Sequence, residues 1–108
     1  MVWRGAAMTE ATGDPLLDGF RLGPVTLKNR IFSSGHALSH AQGGAPTDTT
    51  LRYQMEKAKG GIGMSFVGGS GTVSADTAPV FDQLVISRDI IPFFAELSDF
   101  YHRHGAAL

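Results

Sequence analysis

The chain has 108 residues, 43% hydrophobic and 18% charged, so it holds one core at most and lies well away from disordered composition. Its formal net charge of −1 comes without a basic cluster, which argues against a nucleic-acid partner. It has no cysteine, which excludes a disulfide framework, a thiolate metal site and a cysteinyl link to a cofactor within these residues.

Residues 1–15 read as a disordered N-terminal tail, with Met8 as an alternative start. Their longest apolar stretch, residues 5–8, is too short for a signal-peptide core. No run approaches the ~20 apolar residues of a membrane span, so a cytoplasmic protein without a membrane partner is expected. Phe20, Arg21 and Leu22, then Gly23-Pro24, then Val25, Thr26 and Leu27 form the pattern of a small hairpin. Residues 30–34 follow as a strand that opens into a loop rich in Gly, His and Ser.

Thr47 or Asp48 is placed to cap a helix with Leu51, Met55 and Ala58 at i, i+4 and i+7. Lys57 and Lys59 suit its negative C-terminal end, and Gly60-Gly61 stops it. Residues 62–67 are a short apolar run suited to a parallel strand covered on both faces, ending at Gly68-Gly69-Ser70-Gly71. After a long connection, Asp89 is placed to cap a second helix with Phe93, Phe94, Leu97, Phe100 and Tyr101 on one stripe. Gly105 closes it, and Ala106, Ala107 and Leu108 begin a third strand. Alternating strand and helix demands a parallel α/β sheet. Two βα units leave both sheet edges unpaired, the pattern of a piece of a larger sheet.

Two strand exits are the candidate sites, because α/β folds bind ligands at the C-terminal ends of their strands. The Gly68 to Gly71 cluster occupies one. It does not meet the dinucleotide fingerprint, since Ser74 stands where a third glycine belongs, and a plain strand-exit turn remains the alternative. Ser33, Ser34, Gly35, His36 and Ala37 occupy the other, where small residues let a flat ring approach the backbone. His36 reads either as a site residue or as a structural loop histidine.

His36 and His40 are four apart, but the surrounding glycines make their segment a loop, and no third zinc ligand can be nominated. His102 and His104 sit at a helix C-terminus and read as structural. Arg30, in an apolar strand, is expected to need a carboxylate partner.

The string Leu22-Gly23-Pro24-x-x-Leu27-Lys28-Asn29-Arg30-Ile31 resembles the opening of the Old Yellow Enzyme class of NADH:flavin oxidoreductases. The resemblance continues through Tyr53 and the run from Lys57 to Met64, and ends with Ile91-Pro92-Phe93 and His102-x-His104-Gly105-Ala106. It covers residues 16–108, nearly the whole chain. Gly35 stands where the family often has proline, and the Gly35-His36-Ala37 stretch looks closest to the trimethylamine dehydrogenase and 2,4-dienoyl-CoA reductase branch.

The resemblance implies an α/β fold. Residues 16–108 would be the N-terminal portion of an FMN-binding (β/α)8 TIM barrel, a hairpin plus about two βα units, incomplete at 108 residues against the ~250 of a whole barrel. It implies cofactor contacts from Ser34, Gly35, His36, Ala37 and Gly69, with His36 also a candidate for facing substrate. Ala37 stands where trimethylamine dehydrogenase has its flavin-linking cysteine, so FMN would be non-covalent.

The implied activity is hydride transfer from NAD(P)H through FMN to an activated alkene, or oxidation of an N-methyl amine. The partner is a small-molecule substrate, and a homo-oligomer is compatible. No catalytic residue and no metal ligand is assigned, because the family's remaining active-site residues, and any iron–sulfur cysteines, would lie beyond Leu108. The isolated chain is therefore expected to be inactive and to need the rest of the barrel. Two other readings stand beside this one: an inactive truncated fragment, and a small non-catalytic βαβ interaction module.

Overall fold

The computed structural model describes residues 2–7, 11–74, 76–77 and 82–108. The chain begins with the hairpin, β1 (Phe20–Leu22) and β2 (Val25–Leu27), paired antiparallel with Phe20 opposite Leu27. Gly23, at φ +55°, supplies the left-handed conformation of its two-residue turn. Residues 2–7 are not the loose tail expected from composition. The Ala6 N–H donates to the Thr26 carbonyl at 2.8 Å, the Thr26 N–H donates to the Arg4 carbonyl at 3.2 Å, and Trp3 stacks on His102 with ring centroids 4.3 Å apart. A long-range aromatic partner pins a segment that has no local signal of order.

Next come β3 (Phe32–Ser33), α1 (Asp48–Lys59), β4 (Met64–Ser65), β5 (Gly71–Thr72), β6 (Leu84–Val85), a 3₁₀ turn (Arg88–Ile90) and α2 (Ile91–Arg103). β3 and β4 are parallel, with Phe32 opposite Met64 and Ser33 opposite Ser65. On its other side Met64 bridges Ala107, also in parallel, and the Ala107 N–H donates to the Gly63 carbonyl at 2.9 Å. Three parallel strands therefore lie side by side in chain order, as an open sheet and not a closed barrel. The radius of gyration, 15.2 Å, exceeds the ~13 Å of a compact domain of this length, as an open wedge requires.

α1 starts where the sequence placed it. Thr47 is the N-cap, and its hydroxyl accepts from the Thr50 N–H in a reciprocal capping box. The 3₁₀ turn that leads into α2 is capped by Ser87, whose hydroxyl accepts from the Asp89 N–H at 3.2 Å, and the N-cap of α2 itself, Ile90, makes no side-chain cap bond. Asp89 falls inside the 3₁₀ turn, two residues past Ser87, and so does not take the capping role expected of it.

The two faces of the sheet divide by the strand period of two. Ser65 and Val67 face the helices, where Ala58, Leu97, Tyr101 and Ala106 form the buried cluster and Leu51, Met55 and Phe100 pack around it. Gln54 is also buried, and its carbonyl oxygen accepts from the Tyr101 hydroxyl at 2.8 Å, which joins α1 to α2. Phe32, Met64 and Phe66 line the opposite face with Phe20, Leu22 and Leu27 of the hairpin, around a cleft of about 430 Å³. Phe32 and Phe66 are 56% and 54% exposed, so this second apolar face is only partly covered.

The segment between hairpin and sheet holds the N-terminal ends of the strands. Asn29, buried, donates from Nδ2 to the Gly61 carbonyl at 2.7 Å and accepts from the Ile31 N–H at 3.1 Å. Lys28 donates from Nζ to the His104 carbonyl at 2.7 Å, offsetting the negative end of α2. Arg30 corrects the sequence-based expectation: it is exposed, lies 5.9 Å from the Phe20 ring centroid, and makes no ion pair among the described residues. Outside the sheet, its charge needs no carboxylate.

Candidate functional site

The parallel pairing of β3 with β4 brings the two predicted exits together. Ser34, Gly35, His36 and Ala37 leave β3, and Phe66, Val67, Gly68 and Gly69 leave β4, at the same end of the sheet. The loops touch through glycines. A β-carbon on Gly35 would run into the Gly68 carbonyl oxygen, and one on Gly69 would come within 2.7 Å of the Ala37 nitrogen. No side chain larger than hydrogen fits at either position, which is the reason glycine is needed there.

Ser34, Gly35, His36, Ala37 and Gly69 are all exposed. Their backbone N–H groups donate to no acceptor among the described residues. The result is a small-residue wall with unused amide donors at the C-terminal edge of the sheet.

His36 is held from the side. Its Nε2 lies 2.9 Å from the Tyr53 hydroxyl, with the two rings edge to face at 75°. One turn further along α1, the Lys57 ammonium sits 4.7 Å from the Tyr53 ring centroid and donates to the Ser33 hydroxyl at 2.9 Å. Partial burial pushes the Lys57 amine below its usual pKa. Tyr53 and Lys57 were legible as helix residues and as part of the resemblance, but not as neighbours of the site. Their i, i+4 spacing was the available signal, but nothing local in sequence ties them to His36 and Ser33.

A second layer packs above the exits. β5 and β6 pair in parallel, Ile86 donates its N–H to the Thr72 carbonyl at 2.8 Å, and Val85 donates to the Gly44 carbonyl at 2.8 Å. Gln83 bonds to the Ser70 hydroxyl. Beneath them Ala37, Thr50, Gln54 and Gly69 help line a small pocket of about 30 Å³.

The other histidines take no part. His40 offers its backbone carbonyl to the Thr47 hydroxyl at 2.8 Å, His102 stacks on Trp3, and His104 contacts the Phe100 carbonyl through Nδ1 at 2.8 Å. No cluster of three His, Cys, Asp or Glu side chains among the described residues is arranged to hold a metal. No helix among them is long and apolar enough to cross a membrane.

No protein-family model matches the chain. It is 43% identical over 102 residues to a multifunctional alkene reductase/demethylase of Caballeronia cordobensis, covering 94% of this chain and 15% of that protein. It is 42% identical over 98 residues to an N,N-dimethylglycine/sarcosine dehydrogenase of Chromohalobacter salexigens, covering 88% of this chain and 14% of that protein. The chain thus spans about a seventh of the length of these relatives. In fold it superposes on the old yellow enzyme from Trypanosoma cruzi with a TM-score of 0.73 and 24% identity, over 89% of this chain and 26% of the other.

Proposed function

This chain is a relative of the Old Yellow Enzyme class of oxidoreductases, and from that premise we propose that it forms the N-terminal hairpin and first two βα units of an FMN-binding (β/α)8 barrel. The observation that carries the proposal is the glycine-to-glycine contact between the exits of β3 and β4. It places Ser34, Gly35, His36, Ala37 and Gly69 on one exposed edge with their amides unused. The open sheet edges and the half-covered Phe32, Met64 and Phe66 face fit a sheet that continues through further βα units.

FMN, when bound, supplies hydride transfer, accepting from NAD(P)H and delivering to an activated alkene, or accepting from an N-methyl amine. The chain's own residues bind and orient. Gly35 and Gly69 lack side chains, so a flat heterocycle reaches van der Waals contact with the backbone there. The N–H groups of residues 34–37 offer donors to the polar edge of such a ring, and the Ser34 hydroxyl adds one that can also accept. Ala37 has no nucleophilic atom, so the cofactor is held without a covalent bond. His36 commits Nε2 to Tyr53 and keeps Nδ1 for substrate or solvent.

The names of the relatives support the two substrate classes, since one is an alkene reductase and demethylase and the other a dehydrogenase of N-methylated glycines. The test is anaerobic mixing of the FMN-loaded full-length protein with NADH or NADPH, followed by an α,β-unsaturated ketone or an N-methyl amino acid. Bleaching of the flavin band by the nicotinamide and its return with the ketone, or bleaching by the amine, is the expected result. A flavin band unmoved by all of these contradicts the proposal.

A further inference from the structure

Two contacts from one face of α1 grip the loop that leaves β3. Lys57 holds Ser33 through its hydroxyl at 2.9 Å, and Tyr53 holds His36 through Nε2 at 2.9 Å. Tyr53 and Lys57 are one helical turn apart and so share a face of α1. The residues between the two grips are Ser34 and Gly35, and Gly35 is the residue pressed on the Gly68 carbonyl.

The direction of the Tyr53 to His36 bond follows from acidity. A phenol, with pKa about 10, is a stronger acid than a neutral imidazole N–H, and a bare imidazole nitrogen is a stronger base than a phenol oxygen. Tyr53 therefore donates to Nε2, and the proton of neutral His36 resides on Nδ1.

We infer that Tyr53 is a positioning residue of the cofactor site: through its bond to His36 it fixes the loop of residues 34–37 against α1 and sets His36 as the Nδ1–H tautomer. What the loop holds rests on the flavin reading above; the clamp itself does not. Among the exit residues Tyr53 bonds to His36, so its effect on Gly35 and Gly69 passes through that side chain.

The experiment is ¹⁵N NMR of the histidine side chains and backbone amides in the full-length protein and its Tyr53→Phe variant, with FMN titrations of Tyr53→Phe, His36→Gln and the double variant. The wild type should show His36 with a protonated Nδ1, and Tyr53→Phe should shift it toward the Nε2–H tautomer and move the Gly35, Ala37 and Gly69 amides. Each single variant should weaken FMN about three- to ten-fold, the range of one hydrogen bond, and the double variant no more than the larger single loss.

An Nε2–H tautomer in the wild type, loop amides unmoved in Tyr53→Phe, or additive losses in the double variant would each overturn the inference. Should the wild type bind no FMN at all, the flavin reading falls. The tautomer and the amide shifts then still decide the clamp.

Discussion

Gly35 and Gly68 meet backbone to backbone: a β-carbon on the first would overlap the carbonyl oxygen of the second. The strands that deliver them, β3 and β4, are only two residues long in strict pairing, so this contact sets much of the geometry at the C-terminal edge of the sheet.

Gly35→Val must push the two exits apart. Overpacking of this kind costs about 1–3 kcal/mol. The buried cluster around Leu97 and Tyr101 lies away from the exits, so the fold should survive. Far-UV circular dichroism should be retained while FMN affinity falls by more than about ten-fold, the equivalent of 1.4 kcal/mol. Unchanged affinity with an intact fold would dissociate the glycine contact from cofactor binding.

At the other end of the strands, Asn29→Ala should be far more costly than its neighbour Arg30→Ala. Removing the amide leaves the Gly61 carbonyl and the Ile31 N–H without their partner, a loss of about 1–3 kcal/mol in urea unfolding. Arg30 is exposed over Phe20, and its removal should cost less than about 1 kcal/mol. Equal costs would mean that Asn29 does not hold the turn before β4.

The Tyr101 phenol, buried between α1 and α2, is pushed above its usual pKa by that burial. In the unfolded chain the phenol ionises near pH 10, below its folded value, so the unfolded state releases its proton first and stability falls as pH rises above about 10. Tyr101→Phe should cost about 1 kcal/mol near neutrality through the lost bond to the Gln54 carbonyl, and should flatten the alkaline decline. Denaturant midpoints measured across the alkaline range check both. A decline of undiminished slope in the variant would assign it to other groups.

The parts of this fold that announce themselves locally were legible in the sequence. Thr47, Gly60-Gly61 and the apolar run before Gly68 carry cap, stop and strand signals within a few residues of the elements, and the elements fall there. What escaped is non-local. β5 and β6 are built from Gly71, Thr72, Leu84 and Val85, two-residue strands that pair in parallel without a strand pattern in the sequence. Trp3 is ordered by His102, almost a full chain length away.

The helix faces show the same division. Leu51 and Met55 follow the expected stripe, but Thr50 and Gln54 are buried more deeply, and polar burial has no hydrophobic signature in the sequence. At the site, Ser34 to Ala37 and Gly69 could be named from strand exits and resemblance, and the sheet pairing brings them together. Their support from Tyr53 and Lys57 was invisible, because it depends on which face of α1 turns toward the loop.

The central claim, that the wall formed by residues 34–37 and Gly69 holds FMN without a covalent bond, is tested most directly by flavin stoichiometry. The full-length protein and Gly69→Val would be mixed with excess FMN, passed through gel filtration, and precipitated with acid to see whether flavin is freed. One FMN per wild-type chain, all of it released to the supernatant, with a large loss in Gly69→Val, is the predicted result. A folded wild-type peak without visible flavin absorption would contradict the claim.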